Sequence, residues 1–393
     1  MALVSRKKLA TLAFGLVLAL AGSARAQDDA AMLEKGVQFL VSGQNKDGSY
    51  GPPGGAPGEI GITALVARAL HEAKGTDGNA ELAKGRAAAV EKAVAWLLSQ
   101  QQKDGSFTQE RSGLTTYRTS MTILALASID KAKHKETIEK ARKWLESAQF
   151  GEAVGEGSPH FGGWGYDKKG ENPDADLSNA QMAIAALQAA GVAADDPVLK
   201  RALTIVTRCQ NYTETNKGVP GAKLVPQNDG GLFYGPSRAT VAHTKVDGPD
   251  GTFKYDSYAS MTYAGLVSMA AAGLTADDPR VKAALGWIGQ HYTWDENAGL
   301  GARAPDPKQA RLGLFYFYYT ASRALATLGK PELETKDGKK SWARDLLDAL
   351  KARQLPNGSW TNEADRWMEG LPVLATAYAV SAANHALPFA PKK

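Results

Sequence analysis

Residues 173–178 read Pro-Asp-Ala-Asp-Leu-Ser, so two carboxylates, Asp174 and Asp176, stand two apart just before an uncharged run. Close carboxylates equip a chain for general acid and base work. They have company: His160, Trp164 and Tyr166 precede them, Asn179 and Gln181 follow, and Asp256 and Tyr258 stand at the head of a second uncharged run. Glycoside cleavage needs a carboxylate pair about 5–10 Å apart and ring faces for a sugar. Asp174 and Asp176 with Asp256 or Glu59, beside Trp164 and Tyr166, supply the types. The same residues also serve a plainer purpose: Ser178 followed by Gln181 is a capping box, and Asp174 and Asp176 complement the dipole of a helix starting there. His71, His134, His160, His243, His291 and His385 show no metal-ligand spacing, and lone Cys209 supports no multi-cysteine zinc site. No metal or cofactor is expected. Of the histidines, His160 and His243 alone are kept as acid/base candidates.

Composition bounds what such a site can face. The chain has 393 residues, 44% apolar and 22% charged, which excludes a disordered polymer, and its single cysteine excludes a disulfide scaffold. The net charge of +5 invites a nucleic-acid partner until its location is read. Arg6, Lys7 and Lys8 precede the uncharged run from Leu9 to Gly22, and Ala24-Arg25-Ala26 has the small residues of a leader-peptidase site, so residues 1–26 read as a cleaved signal peptide. Their removal takes four basic and no acidic residues and leaves 42 Lys and Arg against 41 Asp and Glu. The nucleic-acid reading lapses with that balance. An exported protein, periplasmic or secreted, is expected. No membrane span is expected in residues 27–393, because the uncharged runs 177–194 and 257–276 are Ala-rich and carry Ser, Asn, Gln and Thr.

The elements that position the carboxylates come from a repeat. KGVQFLVSGQNKDGSY at 35–50 returns as KAVAWLLSQQQKDGSF at 92–107, and more faintly four further times, with Gln44, Gln101, Gln149, Gln210, Gln290 and Gln354 as markers. Each copy holds an amphipathic helix, such as 90–101 or 138–149, and a second segment without charge, such as 121–129, 312–322 or 371–384. The first kind has one wet face, and the second is enclosed. Six pairs bury all their apolar faces only by closing on themselves, which predicts an all-α (α/α)6 toroid over 27–393, with copies one and six in contact. The inner helices of such a ring begin at one mouth. Tyr117, Tyr258 and Tyr316 therefore converge there with His160, Trp164, Tyr166 and Asn179 as ligand-binding candidates, around Asp174, Asp176 and Asp256 as catalytic ones. The long insertion 211–255 is expected to fold over this mouth as a lid or a protein-binding flap.

The pattern of Lys/Arg, aromatic-Leu, Gln and Gly-x-aromatic, in Gln44/Gly48/Tyr50, Gln101/Gly105/Phe107 and Gln354/Gly358/Trp360, resembles the QW motif of squalene cyclases and protein prenyltransferase β-subunits. In that superfamily the motif is structural, the glutamine capping helix ends and the ring stacking on the next layer. The resemblance implies that all six sets are scaffold. It also makes residues 174–178 similar to the Asp-x-Asp-Asp-Thr motif with which squalene-hopene cyclases protonate an alkene. Asp176 matches the proton donor, and Leu177 stands where the third aspartate belongs. Aromatic faces around such a donor would stabilise a carbocation. The zinc prenyltransferase reading fails, because Tyr258 stands where a cysteine ligand is required, and the Cys-Gly-Glu-Gln run of complement-type thioester domains is absent. If the chain is an enzyme, a cyclase-like isomerase is the expectation. Three functions follow: binding of an apolar or isoprenoid ligand in the ring, a non-catalytic protein-interaction module, and an (α/α)6 hydrolase or lyase acting on polysaccharide.

Overall fold

The computed structural model describes residues 25–54, 56–109, 113–167, 173–219 and 222–391. All but the last two residues of the expected leader lie outside these. The described chain is built from twelve helices: α1 (25–42), α2 (Ile60–Glu72), α3 (Ala80–Ser99), α4 (Thr115–Asp130), α5 (Lys135–Ala148), α6 (Leu177–Ala190), α7 (Pro197–Arg208), α8 (Ala259–Ala271), α9 (Pro279–Gln290), α10 (Leu314–Leu328), α11 (Trp342–Arg353) and α12 (Pro372–Ala386). The even-numbered helices pack in the order α2, α4, α6, α8, α10, α12 and back to α2, a closed inner ring. The odd-numbered helices lie outside it, α5 against α4 and α6, and α7 against α6 and α8.

Burial follows the charge pattern. In α5 only one stripe is covered, Ile138, Ala141, Trp144, Leu145 and Ala148, whereas every residue from Leu177 to Leu187 of α6 is buried. The inner ring is not wholly uncharged, however. Helix α2 carries Arg68 and Glu72, α4 carries Arg118 and Asp130, and α10 continues past the uncharged segment through Arg323 to Leu328.

The marker glutamines join one outer helix to the next. Gln101 donates through Nε2 to Gly105 O (3.1 Å) and to Thr137 O (3.0 Å), in the first turn of α5. Gln44, Gln149, Gln210 and Gln354 make the same pair of bonds, each to its own turn glycine and to a carbonyl of the following outer helix. The turn needs glycine: Gly105 has φ +92°, and a Cβ there would lie 2.4 Å from Lys140 O. A backbone N–H then completes the unit, as Phe107 N donates to Thr119 Oγ1 (3.0 Å) on the inner helix.

Closure uses the same device. Gln354 Nε2 donates to Met32 O (2.9 Å) in α1, and Arg344 clasps buried Asp29 at 2.7 and 2.9 Å. The fifth copy departs from the expectation that all six glutamine sets are scaffold. Gln290 is exposed, and the backbone beside it is instead bridged by the hairpin of β3 (Leu333–Thr335) and β4 (Gly338–Lys340), where Lys336 N donates to Gly289 O (3.0 Å). That hairpin follows another in chain order, β1 (Lys245–Asp247) with β2 (Phe253–Tyr255), inside the long insertion. No helix among the described residues is long and apolar enough to cross a membrane.

Candidate functional site

All six inner helices begin around one cavity of about 320 Å³. Its walls are chiefly rings and thioethers: Tyr117, Tyr166, Tyr258, Tyr316 and Tyr378 with Met121 and Met261. The phenols are linked. Tyr117 Oη lies 2.5 Å from Ser178 Oγ, which lies 3.1 Å from Tyr316 Oη, and Gln181 Nε2 donates to Tyr316 Oη (3.1 Å). Burial pushes the hydroxyls of Tyr117, Tyr258 and Tyr378 well above the ordinary phenol range, so they remain neutral.

The long insertion covers one side of this mouth, as expected. Tyr234 and Thr240 face the cavity, and Tyr234 Oη meets Tyr166 Oη at 2.8 Å. Arg238 stacks over both rings, 5.0 Å from the Tyr234 centroid and 5.6 Å from that of Tyr166, and its guanidinium bridges Asp174 (3.0 Å) and Asp176 (3.2 Å). The rim also carries Trp367 and Met368, two residues in left-handed backbone at φ +62° and +68°. The Trp367 ring lies over Gly313, where a Cβ would come within 3.2 Å of it.

The carboxylates reach this mouth, and each has a helix to hold. Asp176 is fully buried, caps α6 by accepting from Asn179 N (2.8 Å), and takes a second bond from Asn179 Nδ2 (2.9 Å). Burial outweighs those bonds and Arg238, and lifts its pKa to about 6. Tyr166, Tyr234 and Ser178 face the cavity around it, but Asp176 itself does not. Glu369 does face it. This carboxylate is also buried, accepts from Tyr316 N (2.7 Å), Phe315 N (3.3 Å) and Asn362 Nδ2 (2.7 Å) at the start of α10, and burial lifts its pKa to about 7. Glu59 caps α2 through Ile62 N (2.6 Å) while its other oxygen meets Arg118 Nε at 2.6 Å.

The ring brings Tyr117, Tyr166, Tyr258 and Tyr316 together with Glu59 on the cavity and puts His160, Trp164, Asn179, Asp174, Asp176 and Asp256 off it. Trp164 is fully buried in the wall and donates through Nε1 to Leu145 O (2.7 Å). His160 accepts at Nδ1 from Ala175 N (2.9 Å) and so pins the loop before α6, while burial lowers its pKa. Asn179 is spent on Asp176. Asp174 is exposed, and Asp256 forms a separate ion pair with Arg303. His243 bonds Leu300 O at 2.7 Å. Neither Asp256 nor His243 faces the cavity. Sequence reading missed Arg238, Tyr378 and Asn297, whose side chain caps α8 through Ser260 N (2.9 Å). Tyr378 alone carried a signal, an aromatic ring inside an uncharged inner segment.

The geometry defines an α/α toroid with an aromatic central chamber. The family model of the squalene-hopene cyclase C-terminal domain matches residues 63–218. Among solved structures, the type II terpene cyclase MstE from Scytonema, determined as a variant in complex with the substrate geranylgeranyl dihydroxybenzoate, superposes with a TM-score of 0.53 at 15% identity over 94% of this chain and 100% of that one. An apo variant of the same cyclase gives 0.54 at 14% identity over 94% and 99%. An inactive α-1,6-mannanase of Salegentibacter sp. HEL1_6, solved with α-1,6-mannotriose, gives 0.56 at 10% identity over 91% and 99%. No curated protein matches the sequence. Residues 63–218 are thus similar in sequence to the squalene-hopene cyclase C-terminal domain, and the fold of nearly the whole chain is the α/α toroid shared by the cyclase and the mannanase.

Proposed function

We propose that the chain binds an apolar, isoprenoid-type ligand in the chamber at the mouth of the ring. One observation carries the reading: a cavity of about 320 Å³ walled largely by tyrosine, methionine and aliphatic side chains, with its carboxylates and most of its phenols already bonded to protein. Such a space excludes water and rewards burial of hydrocarbon at roughly 25 cal/mol per Å². Stacked rings also suit the double bonds of an isoprenoid. The co-structure of MstE with a geranylgeranyl compound supports the ligand class.

Binding is the function proposed, without cyclisation. A proton donor must reach the alkene, and Asp176 is screened by Tyr166 and Tyr234 while bonded to Asn179 and Arg238. A sugar-cleaving pair is disfavoured by the same accounting, since Glu59 and Glu369 are both committed to helix caps. The basic-then-apolar start supports delivery of the protein to a periplasm or the outside, which N-terminal sequencing of the exported chain checks. The ligand reading is tested by mass spectrometry of lipids that co-purify with the protein and with Tyr316→Ala. An isoprenoid lost in the variant supports it, and saturable oligosaccharide binding without any apolar ligand overturns it.

A further inference from the structure

A second cluster lies at the opposite end of the ring, where the inner helices finish. Arg68 and Glu72 of α2, Ser128 of α4, Tyr319, Ser322 and Arg323 of α10, and His385 of α12 meet there. Glu72 Oε1 takes Arg68 Nε (2.7 Å) and Ser128 Oγ (2.8 Å). Ser322 Oγ meets His385 Nδ1 at 3.1 Å, and the rings of Tyr319 and His385 lie 6.0 Å apart. Arg68 is therefore matched by Glu72. Arg323 faces Tyr319 and Arg68, and no carboxylate among the described residues pairs with it.

Charge does not balance in this cluster. Two guanidinium groups stand against one carboxylate, which pairs with Arg68, and His385 beside them is held neutral by burial, with its pKa lowered to about 4. Among the described residues, buried Nη1 atoms of both Arg68 and Arg323 lack a hydrogen-bond acceptor, as does the Ser381 hydroxyl, while the Tyr319 hydroxyl stands against Arg323. A buried cation without a counter-charge is costly, and an unmet donor costs more. Yet the cluster is not packed solid. Arg68 and Glu72 are enclosed deep in the ring but keep 17% and 23% of their side-chain surface accessible, and Arg323 and His385 keep part of theirs, so a water-sized molecule reaches the cluster. The ends of the helix dipoles, which are negative here, explain why arginines are tolerated. They do not supply acceptors for both forks.

We infer that Arg68 and Arg323 form a site for a phosphate-sized oxyanion at the far end of the ring. Planar guanidinium forks match the geometry of phosphate or carboxylate oxygens, and a single negative charge restores neutrality to the cluster. Tyr319 and Ser381 add hydroxyl donors. The mouth cavity reaches Leu65, and Arg68 lies one helical turn further, about 5 Å along α2. The oxyanion is thus either a free anion or the head of an amphiphile whose apolar part lies toward the mouth.

Isothermal titration of the full chain with inorganic phosphate, pyrophosphate, farnesyl phosphate and farnesol tests this, alongside Arg323→Gln and Arg323→Lys. Saturable pyrophosphate or phosphate binding, weakened at least tenfold in Arg323→Gln and partly restored in Arg323→Lys, is expected, with farnesol binding unchanged. Farnesyl phosphate at least tenfold tighter than both phosphate and farnesol assigns the head of an amphiphile, and parity with phosphate assigns a free anion. Absence of saturable binding by any oxyanion, or equal affinity in a folded variant, overturns the site. If Arg323→Gln does not fold, the decision passes to Arg323→Lys, whose blunter charge should weaken phosphate at least threefold, and equal affinity there overturns it. Farnesol reports the mouth cavity and pyrophosphate the arginines, so failure of one reading leaves the other measurable.

Discussion

The two ends of the ring treat charge in opposite ways. Where the inner helices begin, Glu59, Asp176 and Glu369 each accept backbone N–H groups and hold a helix terminus. Where they end, Arg68 and Arg323 retain donors that no group among the described residues takes. Six parallel dipoles set the sign at each rim, favouring anions at the mouth and cations at the far end. Sign alone does not make a site, however. The mouth's carboxylates are used up by the fold, and what remains there for a ligand is apolar wall. At the far end the fold leaves polar capacity over.

The first way to break this contrast is to loosen the ring that creates it. Gln101→Ala with Phe107→Ala removes one turn bond, one bond to the next outer helix and a fully buried ring, and should cost about 2–5 kcal/mol in denaturant unfolding. A loss under about 1 kcal/mol would detach the corner from the ring's stability.

The mouth acids sharpen it through pH. Burial lifts Asp176 to about 6 and Glu369 to about 7, above unfolded values of about 4, so the folded chain binds protons that the unfolded chain releases. Their stabilising protonation is complete below about pH 4 and is lost as pH rises through 6 for Asp176 and 7 for Glu369. Between pH 5 and 8 the wild type should lose on the order of 2 kcal/mol through each group, a slope that Asp176→Asn and Glu369→Gln flatten. Denaturation curves at stepped pH check this. An equal slope in both variants would place the titration elsewhere.

Arg238→Gln should cost less, about 1 kcal/mol, because its partner Asp174 is exposed and only Asp176 is buried. It should also shift the midpoint of the Asp176 titration upward, read by carboxyl NMR. The smallest effect is expected at Gln290→Ala, within about 0.5 kcal/mol, against about 1–2 kcal/mol for Gln354→Ala, which breaks the bond that closes the ring. Equal costs would mean that the fifth corner depends on its glutamine after all.

Much of the fold was legible because repetition shows in one sequence. Gln44 and Gln101 announce the same bonds in words nearly identical, and charge-free runs mark which helix of each pair is enclosed. Gln290 misled because spacing preserves a letter after a hairpin has taken over its bond. The mouth was half legible. Tyr117, Tyr258 and Tyr316 sit at helix starts and share a rim by topology alone. Trp164 and His160 lie as near in sequence, but whether a ring faces inward or into the wall depends on loop conformation, which spacing does not encode. Arg238 was hidden for a related reason, since an insertion's reach follows from its turns. The arginine pair was invisible because Arg68 and Arg323 are 255 residues apart and meet only once the ring closes.

The account stands on an apolar ligand occupying the mouth chamber. Titrating the purified chain with geranylgeraniol, followed by Trp367 fluorescence in a background where other tryptophans are accounted for by Trp367→Phe, measures that directly. Saturable one-to-one binding that Tyr378→Ala weakens at least tenfold is the expected result. A flat titration, with saturable response to mannotriose instead, would contradict it.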